Sequence, residues 1–338
     1  MTSKRVLTLL AVALVIVVGA TWLASRSAGG SATAGAAVFP DLQNALNDVS
    51  EIRLTKAGGV RTTLTKGENG WVVAEREFPA DVGRVRKLLI DLAELTVVEE
   101  KTRNPDNYGQ IGVAAVDSPG ASGTLIEAVT PQKTFALIVG NMSGSRSSYV
   151  RPADSELSLL VSPQIRPEAE PRRWIDRTVV DIPQDRIQTV EIAPTSGRSY
   201  RVTRESKEQE NFTVPDLPKG RELSSPGAAN PLANGLASFS LDDVRRADEA
   251  AKDGKDSKSA KGAPRATFHT FDGLQIELRG HEDGDRHFVS LVANATSEEA
   301  RAEADRLNER FGGWLLEIPG YKYDGLFRPL EELLASKS

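Results

Sequence analysis

Apolar and polar positions divide this chain into three zones. From Val6 to Ala24 (VLTLLAVALVIVVGATWLA), 19 residues pass without a charge. As a helix at about 1.5 Å per residue the run spans about 28 Å, close to the ~30 Å hydrocarbon core of a bilayer. Ser25 to Ala37 (SRSAGGSATAGAA) is small and flexible and reads as a tether. From Glu51 onward the pattern changes to short runs in which apolar and polar residues alternate between glycine-rich turns, the mark of half-buried strands.

The first strands are EIRLT, VRTTLTK and WVVA, a three-stranded meander. Pro79 to Leu95 then switches to helical spacing. Val82, Val85, Leu89 and Leu92 form one stripe, with Leu88 and Leu95 beside it and Asp81 as a cap. Its basic residues Arg84, Arg86 and Lys87 read as a solvated face. Thr102 to Ser122 carries turn signals and no periodicity. Strands return in GTLIEAV, TFALIVG, SSYVR and LSLLV, with Asn141 to Ser147 as a long polar hairpin tip.

After Pro183 the order of elements starts again. IQTVEI resembles VSEIRL, SYRVTRE resembles VRTTLTK, and NFTV stands where WVVA stood. Leu232, Leu236 and Phe239 parallel the first helical stripe. ATFHTF, LQIELRG and HFVSLVA repeat the second set of strands, at offsets of about 138 to about 156 residues. Two segments depart from the copy. Ala247 to Pro264 is low in complexity and predicts an exposed loop. Thr296 to Phe311 predicts an extra helix, with a Thr296–Glu299 capping box, a buried stripe of Ala300, Ala304, Leu307 and Phe311, and a stop at Gly312-Gly313. Leu330, Leu333 and Leu334 are expected to dock on the second sheet.

The expected fold is therefore α+β: one N-terminal transmembrane helix followed by two related, mainly antiparallel β-sheet units, each with a packed helix. The expected limits are 1–26 for a cytoplasmic start and anchor, 27–38 for the tether, 39–183 for the first unit and 184–338 for the second, with its insertion at 247–264. Lys4 and Arg5 precede the apolar run, so the positive-inside bias predicts a cytoplasmic N-terminus. The body is then periplasmic or otherwise extracytoplasmic, on a single pass through the inner membrane, with the bilayer contacted through Val6–Ala24. The competing reading is a cleaved signal peptide with Ala32-Thr33-Ala34 as its site. The run is longer than the ~7–15 residues of a secretory h-region and the site lies far from its end, which favours the uncleaved anchor.

Composition narrows the chemistry. The chain has no cysteine, so its body is held by its core alone. Its net charge is −5, and without Lys4, Arg5 and Arg26 the body carries 39 basic against 47 acidic residues. That balance argues against nucleic acid as a partner. Only His269, His281 and His287 are present. The last two flank Glu282, Asp283 and Asp285 in GHEDGDRH, a set of metal-ligand types, but a hairpin tip does not fix ligands, and a solvated turn is the better reading. Tyr321 and Tyr323 stand two apart near a glycine, where they could line a pocket or simply pack. No nucleophile elbow, phosphate-binding loop, dinucleotide fingerprint or zinc-protease motif occurs. No catalytic, cofactor-binding or metal-binding residue is assigned and no cofactor is expected.

A family likeness rests on several residues: Trp71; the helix DVGRVRKLLIDLAEL; Asn107-Tyr108-Gly109 with Ser118-Pro119; Gly140; Tyr149-Val150-Arg151; Trp174-Ile175-Asp176-Arg177; and WLLEIPGYKYDGLF. Together these resemble the bacterial family known as domain of unknown function 4340, over Phe39 to Leu334. Gln110-Ile111-Gly112 departs from the family pattern, in which glycine-leucine more often leads directly to the proline. The Ala247 to Pro264 insertion departs too. The resemblance implies no activity and no catalytic residues. It does imply a gene neighbourhood with an exporter-type ABC permease and a gliding-motility-like auxiliary membrane protein. The expected function is thus an accessory subunit of an ABC-type transport complex, partnered by such a permease or auxiliary protein, with exposed sheet edges as the mode of contact. The alternatives are an independent envelope module binding a glycan or peptide, and an enzyme of unrecognised type.

Overall fold

The computed structural model describes residues 33–248 and 262–336. The expected anchor, the first part of the tether and most of the insertion lie outside them. Among the described residues no helix is long and apolar enough to cross a membrane. The chain divides into two units. The first takes residues up to 75 and 82–173, the second 76–81 and 174 onward. The division therefore falls ten residues before the expected boundary, and six residues from the first half belong to the second unit.

In the first unit, strands β1 (Glu51–Lys56), β2 (Arg61–Gly67) and β3 (Gly70–Val73) form the expected meander. Helix α1 (Val82–Ala93) follows, then β4 (Thr96–Glu100) and the short helix α2 (Tyr108–Ile111). Strands β5 (Thr124–Val129), β6 (Thr134–Ser143), β7 (Ser147–Pro152) and β8 (Leu159–Ser162) complete it. The strands lie in the order β3-β2-β1-β5-β6-β7-β8-β4. Every pair is antiparallel. Alternation along the strands puts Ile52, Leu54, Leu64, Ile126 and Leu137 on one buried face. Helix α1 buries Val85, Leu88, Leu89 and Leu92, whereas Val82, at the helix start, stays 45% exposed. Strand β6 continues to Ser143, so the expected long hairpin tip shrinks to residues 144–146.

The end of the expected tether is not loose. The Gly35 amide donates to Val97, the Val97 amide to Ala36, and the Val38 amide to Leu95, along the edge of β4. Backbone pairing with a strand outweighs a small-residue composition that has no side-chain preference of its own.

In the second unit, β9 (Ile187–Ala193) and β10 (Tyr200–Thr203) come first, then the single helical turn α3 (Asn230–Ala233) and β11 (Asp243–Arg246). Strands β12 (Arg265–Thr270), β13 (Leu274–Asp283) and β14 (Arg286–Ala295) lead into helix α4 (Glu298–Phe311), strand β15 (Trp314–Ile318) and helix α5 (Gly320–Leu326). The order is β10-β9-β12-β13-β14-β15-β11, again wholly antiparallel. Taken element by element this repeats the first sheet. Leu54 pairs with Thr62 in one and Ile192 with Tyr200 in the other, both 138 positions on. Thr213 bridges Thr203 beside β10, where β3 lies beside β2 in the first unit.

The helix layer differs. The apolar stretch Leu232–Phe239 makes only the four-residue turn α3, and Phe239 enters a short ladder with Val180. Gly235 packs closely here: a Cβ would lie 3.0 Å from Leu326 and 3.2 Å from Phe268. The packed helix of this unit is instead α4, which lies on β13 and β14. Its buried stripe is Ala300, Ala304, Leu307 and Phe311. Its cap is Ser297, whose hydroxyl accepts from the Ala300 amide at 3.2 Å, one residue later than expected. The Thr296 hydroxyl is already used, donating to the Gly273 carbonyl at 3.1 Å. The ends of the insertion are held: the Ala247 amide donates to Gly313, and the Gly280 amide to Pro264. The C-terminal Leu330, Leu333 and Leu334 are buried.

The segment 76–81 is built into this unit. Phe78 is fully buried, with ring centroids 5.2 Å from Trp314 and 6.3 Å from Phe311. Arg76 grips the buried Asp243 with two hydrogen bonds of 2.7 and 2.9 Å. Replacing Phe78 with Ala should cost about 3–5 kcal/mol. Arg76→Met should cost roughly 2–3 kcal/mol, less than for a fully buried pair because Arg76 keeps some contact with water. Urea melts of the full chain check both values, and a loss below ~1 kcal/mol at Phe78 would refute the anchoring role.

Helix α4 is also held by Arg186, which meets Asp272 at 2.8 Å and Glu303 at 2.5 Å. Burial raises the Asp272 carboxyl, but the Thr270 hydroxyl and Arg186 outweigh it and hold the group below the usual carboxylate range. A carboxylate lowered in the folded state stabilises above its unfolded value, about pH 4, and that contribution fades as pH falls through the folded value. Asp272→Asn should therefore flatten the acid limb of a stability profile taken from about pH 6 to about pH 2. An unchanged acid limb would dismiss Asp272 as a contributor.

Candidate binding site

The second unit contains a recess of about 470 Å³ beside α5. Pro319 ends β15 and starts α5, so the helix leaves the sheet at once. Alternate residues of the helix then part. Tyr321 and Tyr323 line the recess, while Lys322 donates to the Ser240 hydroxyl at 3.1 Å. Burial, reinforced by the Arg177 charge and opposed by Asp242, lowers the Lys322 pKa. The turn after β9 brings Thr195 and Ser196, β13 brings Glu282, and the chain after α5 brings Phe327, Arg328 and Glu332. Tyr200 fixes that last segment by donating to the Arg328 carbonyl at 2.7 Å.

Tyr323 is the hinge of the recess wall. It is 3% exposed, its ring lies 4.9 Å from His287 and 4.8 Å from Phe327, and its hydroxyl stands over Gly280. A Cβ at Gly280 would lie 2.4 Å from that hydroxyl, so only glycine admits the ring here. Burial first, then the Glu282 and Asp324 carboxylates, push the Tyr323 phenol well above its usual value. Burial, with Glu332 and Glu331 adding and Arg328 opposing, does the same to Tyr200. Both phenols stay protonated at neutral pH, so neither serves as a tyrosinate base. The walls offer aromatic faces, hydroxyls and carboxylates, which suit recognition of a ligand.

The histidine-rich hairpin resolves differently from a tip. His281 and Glu282 lie within β13, paired with Phe288 and His287 of β14, and the turn is only Gly284-Asp285. His281 faces the Ser290 hydroxyl at 3.1 Å, Asp283 meets Arg245 at 2.9 Å, and His287 packs on Tyr323. Alternation along the strand sends these groups apart, and among the described residues no group of three or more His, Asp or Glu is placed to hold a metal. His269 lies in β12, its Nε2 3.8 Å from Glu191. Glu282 is the residue whose role the motif reading missed. Its signal was positional: it pairs with His287, the residue under Tyr323.

The residues behind the family likeness in the first unit prove to be a structural clasp. The Tyr108 hydroxyl donates to the carbonyls of Arg103 and Glu156. Arg151 lies 4.8 Å over the Tyr108 ring and donates to Val113 and Ser155. A Cβ at Gly140 would sit 2.2 Å from the Ile111 carbonyl, so the α2 loop rests directly on the strand. Gly112, at φ +74°, ends α2 and turns the longer loop onto the sheet. In the second unit, Asp176 meets Arg310 at 2.8 Å and Arg177 binds the Leu241 carbonyl at 2.7 Å.

These features define a mixed α/β chain built mainly on antiparallel sheets, with one recessed polar–aromatic site described above. The chain belongs to the family described as a domain of unknown function, DUF4340, whose model matches residues 71–258. Trp71, the α1 helix, the Tyr108–Arg151 clasp and Trp174–Arg177 fall inside the match. The Trp314–Phe327 run and most of the recess fall outside it. No curated protein and no solved structure matches the chain.

Replacing Gly280 with Ala should destabilise the chain by about 1–3 kcal/mol, because the strand cannot yield. Tyr323→Phe in the same chain should recover part of that loss by removing the hydroxyl. Thermal melts of the two single variants and the double variant check this, and strictly additive effects would contradict the contact.

Proposed function

We propose that this protein is a membrane-anchored, extracytoplasmic accessory subunit of an ABC-type transport complex, which acts by protein–protein contact. The observation that carries the reading is the short link between an apolar run of bilayer length and a folded sheet edge. Val6–Ala24 is the run, and Gly35 already bonds to β4, which leaves residues 25–34 as the connection. Fully extended, those ten residues reach about 35 Å. The first unit is thus kept near any permease in the same membrane, where confinement raises the effective concentration and a weak contact suffices. The family's expected neighbourhood of permease and auxiliary membrane protein supports the same reading by association. The likeness of the two strand orders supports descent of both units from one duplicated element, with a helix layer rebuilt in the second.

A second reading, an independent envelope module binding a glycan or peptide, is favoured by the recess beside α5. The two part on one experiment. Met1 to Arg26 is replaced by a cleavable secretion signal, so that the same body is released into the same compartment at equal abundance. The anchored-subunit reading expects failure to complement a deletion strain, and co-purification of the intact chain with a permease after mild solubilisation. Full complementation by the released body would overturn it in favour of the soluble module.

A further inference from the structure

We propose that the recess beside α5 binds a cationic side chain, an arginine guanidinium or a lysine ammonium, presented by a protein partner. The inference rests on the reading of this protein as one that works by binding, and it names the chemistry bound.

Charge is the first argument. Glu282, Asp324 and Glu332 line the recess against a single cation, Arg328. Arg328 is only loosely paired with Glu332, at 3.7 Å. Among the described residues no lysine or arginine forms a salt bridge with Glu282 or Asp324. Elsewhere in this unit carboxylates on the sheet have cations at hand: Asp283 has Arg245, Glu317 has Arg286, and Glu277 has Arg279. The recess is therefore a place where negative charge stands without its counterpart.

The second argument concerns the aromatic wall. Tyr323 lines the recess with its hydroxyl out of water, no acceptor at ordinary hydrogen-bond distance, and the Glu282 carboxylate as the nearby group that acts on it. Buried polar groups are nearly always satisfied. A cation drawn to Glu282 sits where it can donate to the phenol oxygen, with Glu282 left to accept from the O–H. Tyr321, two residues away, also lines the recess and is 74% exposed. An aromatic face beside carboxylates is the setting in which a guanidinium stacks and donates at once. The volume of about 470 Å³ is ample for one long side chain. An anion would meet a net negative lining. A neutral sugar could stack on Tyr321 but would leave the carboxylates without a countercharge.

The test titrates the intact chain with Nα-acetyl-arginine methylamide, with its uncharged isostere built on citrulline, and with N-acetylglucosamine. Binding is read by calorimetry and by resonance shifts. The arginine probe should bind at least about tenfold more tightly than the citrulline probe, and more weakly as salt rises. Glu282→Gln and Asp324→Asn should each weaken it by roughly three- to tenfold, with melting temperature unchanged within a few degrees. Tyr321→Ala, at an exposed position, should weaken it without touching the fold. Equal binding of the arginine and citrulline probes, binding of the sugar alone, or no binding of any probe at about 10 mM would each overturn the proposal. Complementation only by the anchored chain, with no arginine binding, would sink this inference and spare the accessory reading. Arginine binding with full complementation by the released body would do the reverse.

Discussion

The second unit depends on a residue that the chain supplies early. Phe78 is fully buried between Phe311 and Trp314, so the end of α4 and the start of β15 close on a ring nearly a hundred positions before the unit's main stretch begins. The flanking contacts keep it there. Arg76 holds Asp243, Glu77 meets Arg246 at 3.2 Å, the Asp176 amide donates to the Pro79 carbonyl, and the Asp81 amide donates to the Trp174 carbonyl. Glu77 adopts φ +50°, an unfavourable region that costs on the order of 1 kcal/mol. The burial of Phe78 and the charged pairs outweigh that cost.

Much of the strand inventory was legible because alternation reports burial directly. EIRLT and IQTVEI bury Ile52, Leu54, Val190 and Ile192 on one face and present polar residues on the other. Two strands left no such signal, β4 (TVVEE) and β11 (DVRR). They sit at the same place in their sheets, beside β8 and β15. Edge positions carry charge, which suppresses the apolar alternation that betrays a strand. The placement of 76–81 was hidden for another reason: one phenylalanine in a turn-like stretch has no period to read. For the helices, periodicity identified α1 and α4, but at Leu232–Phe239 it described packing against Gly235 and Phe268 without a continuous helix.

Of the recess, the sequence offered its aromatic half. Tyr321 and Tyr323 stood out by spacing, and both line it. Glu282 was noticed only as one of several ligand types in GHEDGDRH. Strand register, which sets Glu282 and Asp283 on opposite faces, turns that cluster into two separate contacts, one toward Tyr323 and one to Arg245. Gly280 had no visible reason to be glycine until a ring from α5 was found lying on it.

The sheet edges change how such a protein can meet a partner. Addition of a strand needs a row of unpaired amides and carbonyls. At β4 that row is taken by residues 35–38, and at β10 Thr213 exchanges two hydrogen bonds with Thr203. Where β14 outruns β15, the Asn308 side chain of α4 answers both the amide and the carbonyl of Ala293, at 2.8 and 2.7 Å. These edges are closed from within, which removes main-chain addition there as a mode of contact. At these edges recognition falls to side chains. A sheet face whose carboxylates are matched by arginines has little net pull on a partner, because each charge is already answered. A place where carboxylates lack cations beside an exposed ring can discriminate between partners, and the lining beside α5 combines the two.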